Sequence, residues 1–263
     1  MSQIDYRGVT FTLSDNEHWP SCFVFGVRRS GSSVFSNMAS VLAKIHGYGV
    51  VDFGRMFDVG LIPRDWRFDP ALPSVVRGGN VYTGFRDFPA GFQSDPRFIA
   101  SRKVLLVRDP RDTLISEFYS NAYSHPIPPD GPAREFMLWL RSQAQNGSLE
   151  TQVLKQAPHL RRTLKEYVPL LADPLLKLYR YEDVIMDKRH LLESISAHFG
   201  WPIDPQGIGQ ILEWADVVPP EERPTEFIRR VHPGDHKNKL SEKTIEELNK
   251  ILAEPMKAFG YAH

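Results

Sequence analysis

Three separated clusters of basic side chains in this sequence, two of them with serines, have the chemistry to hold a phosphate or a similar anion. The first is Gly26-Val27-Arg28-Arg29-Ser30-Gly31-Ser32-Ser33. It follows an apolar, β-prone run that starts at Cys22 and precedes Val34, Met38, Val41, Leu42 and Ile45 at helical spacing. Between a strand and a helix, glycine lets the backbone approach an anion, first-turn amides donate to it, and the helix dipole adds positive potential. The spacing is close to the nucleotide-triphosphatase loop G-x-x-x-x-G-K-[ST], but Ser32 stands where that loop has lysine. The charge sits instead on Arg28 and Arg29.

The second cluster begins at Arg108, after the strand-like run from Lys103 to Val107, and ends at Ser116. Between them, Asp109-Pro110-Arg111-Asp112 is a helix start: Asp109 caps, Pro110 suits the first helical position, and Asp112 complements the dipole. On that helix Asp112, Ser116 and Ser120 share a polar face, while Leu114, Phe118 and Ala122 form an apolar stripe. The third cluster runs from Phe227 to Asn238 and contains Arg229 and Arg230. Between residues 227 and 239, four basic residues (Arg229, Arg230, Lys237, Lys239) face Asp235 alone, a local excess of positive charge.

The elements that must position these clusters follow from periodicity. Further strands are expected at Tyr48 to Phe53, Val81 to Phe85 and Leu175 to Tyr179. A helix is expected from Lys188 to Phe199, and another from Ser241 onward using Ile245, Leu248, Leu252 and Met256. The stretch from Ala133 to Leu171 reads as helix interrupted near Gly147, Pro158 and Pro169, and residues 54–80 as loop with short elements. Strands alternating with helices imply a three-layer α/β/α fold around a mainly parallel sheet, with a P-loop-like strand-loop-helix. No repeat or linker divides the chain, so residues 1–263 are expected to form a single domain.

Taken in register, the three clusters resemble the sulfotransferase family that uses 3′-phosphoadenosine 5′-phosphosulfate (PAPS) as donor. The match lies in Arg29-Ser30-Gly31-Ser32-Ser33, in Arg108 with Ser116 eight residues on, and in Arg229-Arg230 followed by Gly234-Asp235-His236-Lys237-Asn238. The resemblance implies that Arg29 sits at the bridging oxygen that leaves, with Arg28 and Ser30, Gly31, Ser32 and Ser33 around the 5′-phosphate. It further implies Arg108 and Ser116 on the 3′-phosphate, Arg229 and Arg230 in a loop closing over it, and Tyr181 near the adenine. Val231 replaces the family's glycine in that loop. The tryptophan that many members carry after the phosphate loop is also absent, with Val34 and Phe35 there, leaving Phe35 or Trp214 to stack on adenine. Transfer needs a base within hydrogen-bond reach of the acceptor proton. Phe85-Arg86-Asp87-Phe88-Pro89 corresponds to the family's Lys-Thr-His-Leu-Pro, which makes Asp87 the favoured base. Asp52, at the end of the second strand, and His125 are the alternatives.

The resemblance implies a transferase that converts PAPS to 3′-phosphoadenosine 5′-phosphate (PAP) without a metal, sulfating a hydroxyl or amine of a small-molecule or glycan acceptor. The acceptor would lie against residues 54–80 and 121–165, which offer Trp66, Phe68, Tyr123 and Trp139 beside Arg55, Arg64 and Arg67. Competing readings are a P-loop kinase or hydrolase, disfavoured by the missing lysine, and a nucleotide-binding scaffold without turnover. Composition sets the outer bounds. With 32 Lys+Arg against 32 Asp+Glu in 263 residues, bulk electrostatics bind neither nucleic acid nor an anionic membrane. No apolar run spans a bilayer, and Cys22 alone cannot form an internal disulfide, which points to a cytoplasmic protein. The family's C-terminal dimer motif is only partly matched around Lys237 to Glu247, which leaves monomer or homodimer open.

Overall fold

The first two elements, β1 (Ser2–Tyr6) and β2 (Val9–Leu13), form an antiparallel hairpin that buries Tyr6, Phe11 and Leu13. Its turn places both Arg7 and Gly8 at positive φ, 50° and 80°. The computed structural model describes residues 2–54, 66–85 and 87–261. The chain packs as two compact units, each made of two stretches: Met1–Val107 with Pro169–Asp216, and Arg108–Val168 with Val217–His263.

The first unit continues with β3 (Cys22–Gly26), α1 (Ser32–Ile45), β4 (Gly49–Asp52), β5 (Asn80–Phe85), the short α2 (Pro96–Ile99) and β6 (Arg102–Val107). The central strands are buried on both faces, as strands covered by helices are. All five residues of β3 are buried, as are the last five of β6. The chain then enters the second unit, whose first stretch holds α3 (Pro110–Tyr119), α4 (Gly131–Asn146) and α5 (Leu149–Tyr167). Back in the first unit come β7 (Leu176–Arg180), one turn α6 (Tyr181–Val184), α7 (Lys188–Phe199) and α8 (Pro205–Ala215). The second unit closes with α9 (Asp235–Lys239) and α10 (Glu242–Ala258).

The fold is α/β around a five-stranded sheet in the order β4-β5-β3-β6-β7, flanked by helices, with every neighbouring pair parallel. Helix α1 buries Phe35, Met38, Ala39, Leu42 and Ala43 and packs on β3, β4 and β5 and on α7 and α8. An aromatic core fills the same unit, with Phe23 stacked on Tyr82 at 4.9 Å and Phe53 on Phe85 at 4.9 Å. In the second unit, α5 packs against α3 and α10, and Phe118 and Ala122 meet Ala144.

Most expected elements form within a residue or two of their expected bounds. Pro158 does not interrupt its helix: it lies inside α5, on the exposed side, where losing one amide costs least. The β1–β2 hairpin and α8 have no counterpart in the sequence reading. Among the described residues, no helix is long and apolar enough to cross a membrane.

Candidate functional site

The loop between β3 and α1 lies at the carboxyl end of a central strand, where open parallel sheets bind their ligands. Its shape is fixed from within. Val27 N donates to the Leu106 carbonyl at 3.1 Å, and Ser30 N donates to the Val27 carbonyl at 3.0 Å. The Ser30 hydroxyl lies 2.5 Å from the Val27 carbonyl and 3.2 Å from that of Leu106, and the side chain is fully buried. Ser30 therefore shapes the loop and turns its hydroxyl inward rather than toward a ligand.

Two residues of the loop adopt left-handed backbone. Gly31, at φ 82°, caps α1, and Arg29 sits at φ 68°, a conformation that costs a non-glycine residue roughly 1–2 kcal/mol. Gly26 and Gly31 are required by close approach. A Cβ on Gly26 would stand 2.6 Å from Ser32 Cβ, and one on Gly31 would stand 3.0 Å from the Tyr181 ring. The first helical bond of α1 runs from Phe35 N to the Gly31 carbonyl at 3.1 Å, so the amides of Ser32, Ser33 and Val34 precede the ladder. Arg28 is exposed, Arg29 half-buried, Ser32 half-buried and Ser33 exposed. The loop sets helix-end amides beside two arginines, the composition an anion cradle requires.

Tyr181, at the start of α6, is buried with its ring against Gly31, so the loop and this tyrosine do meet. Phe35 is fully buried and edge-on to Tyr179 at 6.1 Å, which leaves it no open face for a base, whereas Trp214 is exposed on α8. Asp87 is half-buried in the bend after β5, the strand beside β3. Asp52, at the end of β4, accepts from Gly54 N at 2.8 Å and lies over Gly84, whose φ of 75° and lack of a Cβ make room for it.

In the second unit, Asp109 caps α3 by accepting from Arg111 N at 2.9 Å and pairs bidentately with the Arg111 guanidinium at 3.0 and 2.6 Å. Arg108 is buried, and Ser116 is half-buried two turns away. A single π turn (Ser120–Ser124) follows α3, and His125 N closes it onto the Ser120 carbonyl at 2.8 Å. The His125 carbonyl accepts from Arg141 Nη2 on α4 at 2.6 Å.

Between Arg108 and Ser116 stands Asp112, fully buried, with a role that its sequence position did not disclose. Its Oδ2 accepts from Gly234 N at 2.6 Å, and its Oδ1 from His236 N at 2.9 Å and His236 Nδ1 at 2.7 Å. Arg108 Nη2 lies 4.0 Å from Oδ2. Burial alone would raise the Asp112 pKa. The His236 hydrogen bond, the Arg108 charge and the two amides overcome that and bring it down to about 2.

The basic loop is less positive than its own letters suggest. Arg229 is buried, bound to both Glu222 and Asp235, with its guanidinium 4.4 Å above the Tyr119 ring. Lys239 Nζ reaches the same Glu222 carboxylate at 2.7 and 2.9 Å. Burial opposes the charged form of Glu222, yet these cations hold its pKa below the usual value. Glu222 lies outside the 227–239 window, so the sequence count missed the carboxylate that compensates two of the four cations. Arg230 is partly exposed, its Nε 3.2 Å from Asp235 Oδ1.

Of the aromatic residues expected to meet an acceptor, Trp66 is core, stacked on Phe53 at 5.6 Å. Phe68 is exposed under the Arg67 guanidinium at 4.6 Å. Tyr123 and Trp139 are exposed, with Trp139 stacked on the equally exposed Phe136 at 5.9 Å. Arg55 and Arg64, and Arg86 beside Asp87, fall outside the described residues. Among the described residues, no group of three His, Cys, Asp or Glu side chains gathers as a metal site.

Comparison with known proteins places this geometry. The chain is 22% identical over 188 residues to the 3-beta-hydroxysteroid sulfotransferase of Cavia porcellus, a match covering 65% of this chain and 60% of that relative. The chain thus aligns with less than two thirds of that relative's length. Among solved structures, it superposes on a mouse sulfotransferase, SULT7A1, complexed with PAP, with TM-score 0.57, 14% identity, and 97% and 95% of the two chains covered. It also superposes on retinol dehydratase in complex with androsterone and inactive cofactor PAP, with TM-score 0.54, 14% identity and 92% and 82% coverage. At these identities the structural likeness speaks for the fold. The Sulfotransferase domain family matches residues 96–260, well over half of the sequence, and the chain belongs to that family.

Proposed function

We propose that this protein is an enzyme that transfers a sulfuryl group from PAPS to a hydroxyl or amine of a small-molecule or carbohydrate acceptor, releasing PAP. The observation that carries the reading is the β3–α1 loop, which combines unladdered helix-end amides, two arginines and a glycine pressed against Tyr181. The cradle fits a 5′-phosphosulfate: glycine keeps the floor open, the amides of Ser32 and Ser33 donate, and Arg28 and Arg29 supply the charge.

PAPS supplies a sulfuryl group whose bond to the 5′-phosphate oxygen breaks as the acceptor atom bonds to sulfur. Charge then builds on the bridging oxygen, and Arg29, held in one backbone conformation, stabilises it. Arg108 and Ser116 take the 3′-phosphate, and Arg229 and Arg230 shape the loop beside it. Tyr181, already against Gly31, borders the adenine side of the cradle. Asp87 takes the acceptor proton. Its position after the strand next to β3 favours it, whereas Asp52 already spends one oxygen on Gly54 N. The androsterone in the retinol dehydratase complex supports an acceptor of small-molecule size.

Two measurements test the reading together. Titration calorimetry compares PAP with ATP and magnesium, and labelled PAPS is offered with a panel of hydroxylated and amino acceptors. PAP is expected to bind more tightly, and Arg29→Ala to lower transfer by on the order of a hundredfold. Asp87→Asn is expected to lower turnover at saturating acceptor, and Asp52→Asn to lower it less. Tighter binding of ATP with magnesium overturns the assignment in favour of a kinase or hydrolase. Unchanged turnover in Asp87→Asn removes that residue from the base role.

A further inference from the structure

Asp112 joins two parts of the second unit that are 122 and 124 residues apart in sequence. It lies one turn after Arg108 and one turn before Ser116, the pair assigned above to the 3′-phosphate. A carboxylate there is electrostatically the wrong group beside an anion site, because it offsets the nearby arginine. It is also costly to bury, unless its lone pairs are filled. Both oxygens are filled, by the amides of Gly234 and His236 and by the His236 ring. Gly234 takes φ 92° to present its amide, and no side chain would crowd a Cβ there, so the glycine serves backbone geometry alone.

We propose that Asp112 is the positioning residue of the 3′-phosphate subsite, fixing Arg108 and the segment from Gly234 to His236 in one mutual geometry through a single carboxylate, with the His236 ring as its dedicated partner. The inference rests on the PAPS reading and adds to it a residue that touches no ligand. The Asp112 carboxylate accepts three hydrogen bonds from one segment while standing 4.0 Å from the guanidinium of Arg108, just ahead of its helix. Loss of that carboxylate frees the loop and leaves two amides and a ring N–H to find other partners. Positioning and simple electrostatics therefore predict opposite signs. Removing a negative charge beside Arg108 strengthens anion binding if charge decides, and weakens it if geometry decides.

The test uses calorimetry on the full chain with PAP and with 5′-AMP, which lacks the 3′-phosphate. Wild-type protein is expected to prefer PAP. Asp112→Asn is expected to weaken PAP about tenfold or more, the worth of roughly one lost charge-assisted hydrogen bond. It should leave 5′-AMP within about twofold, so the preference collapses. His236→Ala, which keeps both amide bonds, is expected to shift the preference the same way by a smaller factor. That variant carries the test if Asp112→Asn shows no cooperative thermal transition. Tighter PAP binding in Asp112→Asn overturns the inference, as does equal weakening of both nucleotides or an unchanged preference in a folded His236→Ala. Wild-type protein with no preference for PAP overturns the PAPS reading and this inference together. A wild-type preference that both variants retain overturns the inference alone.

Discussion

The Asp112 carboxylate carries its charge where water cannot reach it, and the protons of its partners do the solvating. That makes it an acid sensor for the second unit. Its pKa falls from 3.8 to about 2 on folding, so its contribution is fully present above pH 4 and is lost as pH drops through 2. The shift corresponds to roughly 2 kcal/mol at neutral pH. Glu222, also held below its usual value, acts with the same sign. Urea midpoints measured from pH 6 to pH 2 are expected to fall most steeply below pH 4, and Asp112→Asn to start lower and fall less. Parallel curves for the two proteins would contradict the assignment. At this scale, Arg29, Gly31 and Tyr181 could be singled out as candidates because each stands in a segment whose residue types follow a recognisable pattern. Asp112 and His236 were not, because their partnership exists only once the two segments meet. The one available hint was the placing of Asp112 four residues after Arg108 and on the helical face of Ser116.

A strand, a tight loop and a helix suffice to make the proposed anion cradle, and the loop tolerates little change. Gly31→Ala would have to hold an L side chain at φ 82° with its Cβ 3.0 Å from the Tyr181 ring. A cost of about 1–2 kcal/mol is expected in a thermal or urea denaturation series, accompanied by weaker PAP binding in calorimetry. Wild-type stability and affinity in this variant would mean that the glycine is incidental. The strand–loop–helix itself could be read from sequence because an apolar run changes to helical spacing across it. The hairpin β1–β2 escaped notice because its turn, Arg7-Gly8, lacks the usual asparagine or aspartate before glycine. Helix α8 was hidden by Gly207 and Gly209, which argue against a helix on propensity. Packing explains the first of them: a Cβ on Gly207 would stand 2.9 Å from Ile45 Cδ1 at the end of α1.

Over the whole molecule, the equal counts of acidic and basic residues take on a more local meaning. Arg229 and Lys239 share Glu222, Arg111 is matched by Asp109, and the buried Lys103 by Asp173 at 2.9 Å. Arg28 and Arg29 are the basic pair set on the β3–α1 loop. The division into two units was invisible in composition, since no glycine- and serine-rich or charged run marks the points after Val107, Val168 and Asp216 where the chain passes between them. Cys22 gives a reporter for one of them. It lies buried in the central strand of the sheet, and burial pushes its thiol up to about 12 against the small opposing effect of Arg102. Native protein at pH 8 is expected to resist iodoacetamide, with alkylation appearing only as the first unit opens in denaturant. Fast labelling of native protein would show that the sheet opens without global unfolding.

The order of the sheet also bears on how the chain is made. Strands β3, β4, β5 and β6 are complete once synthesis reaches Val107, but β7, which covers the free edge of β6, does not begin until Leu176. Until residues 108–175 have been made, β6 lacks the partner for one hydrogen-bonding edge, and an unpaired strand edge is where nascent chains can pair with one another. Lys103, near the start of β6, is the one charge on the waiting strand apart from Arg102. Its eventual partner, Asp173, arrives just ahead of β7. A residue that looks misplaced in the finished core thus puts a charge on the strand whose edge is the last to be paired, the kind of side chain that blunts an open edge.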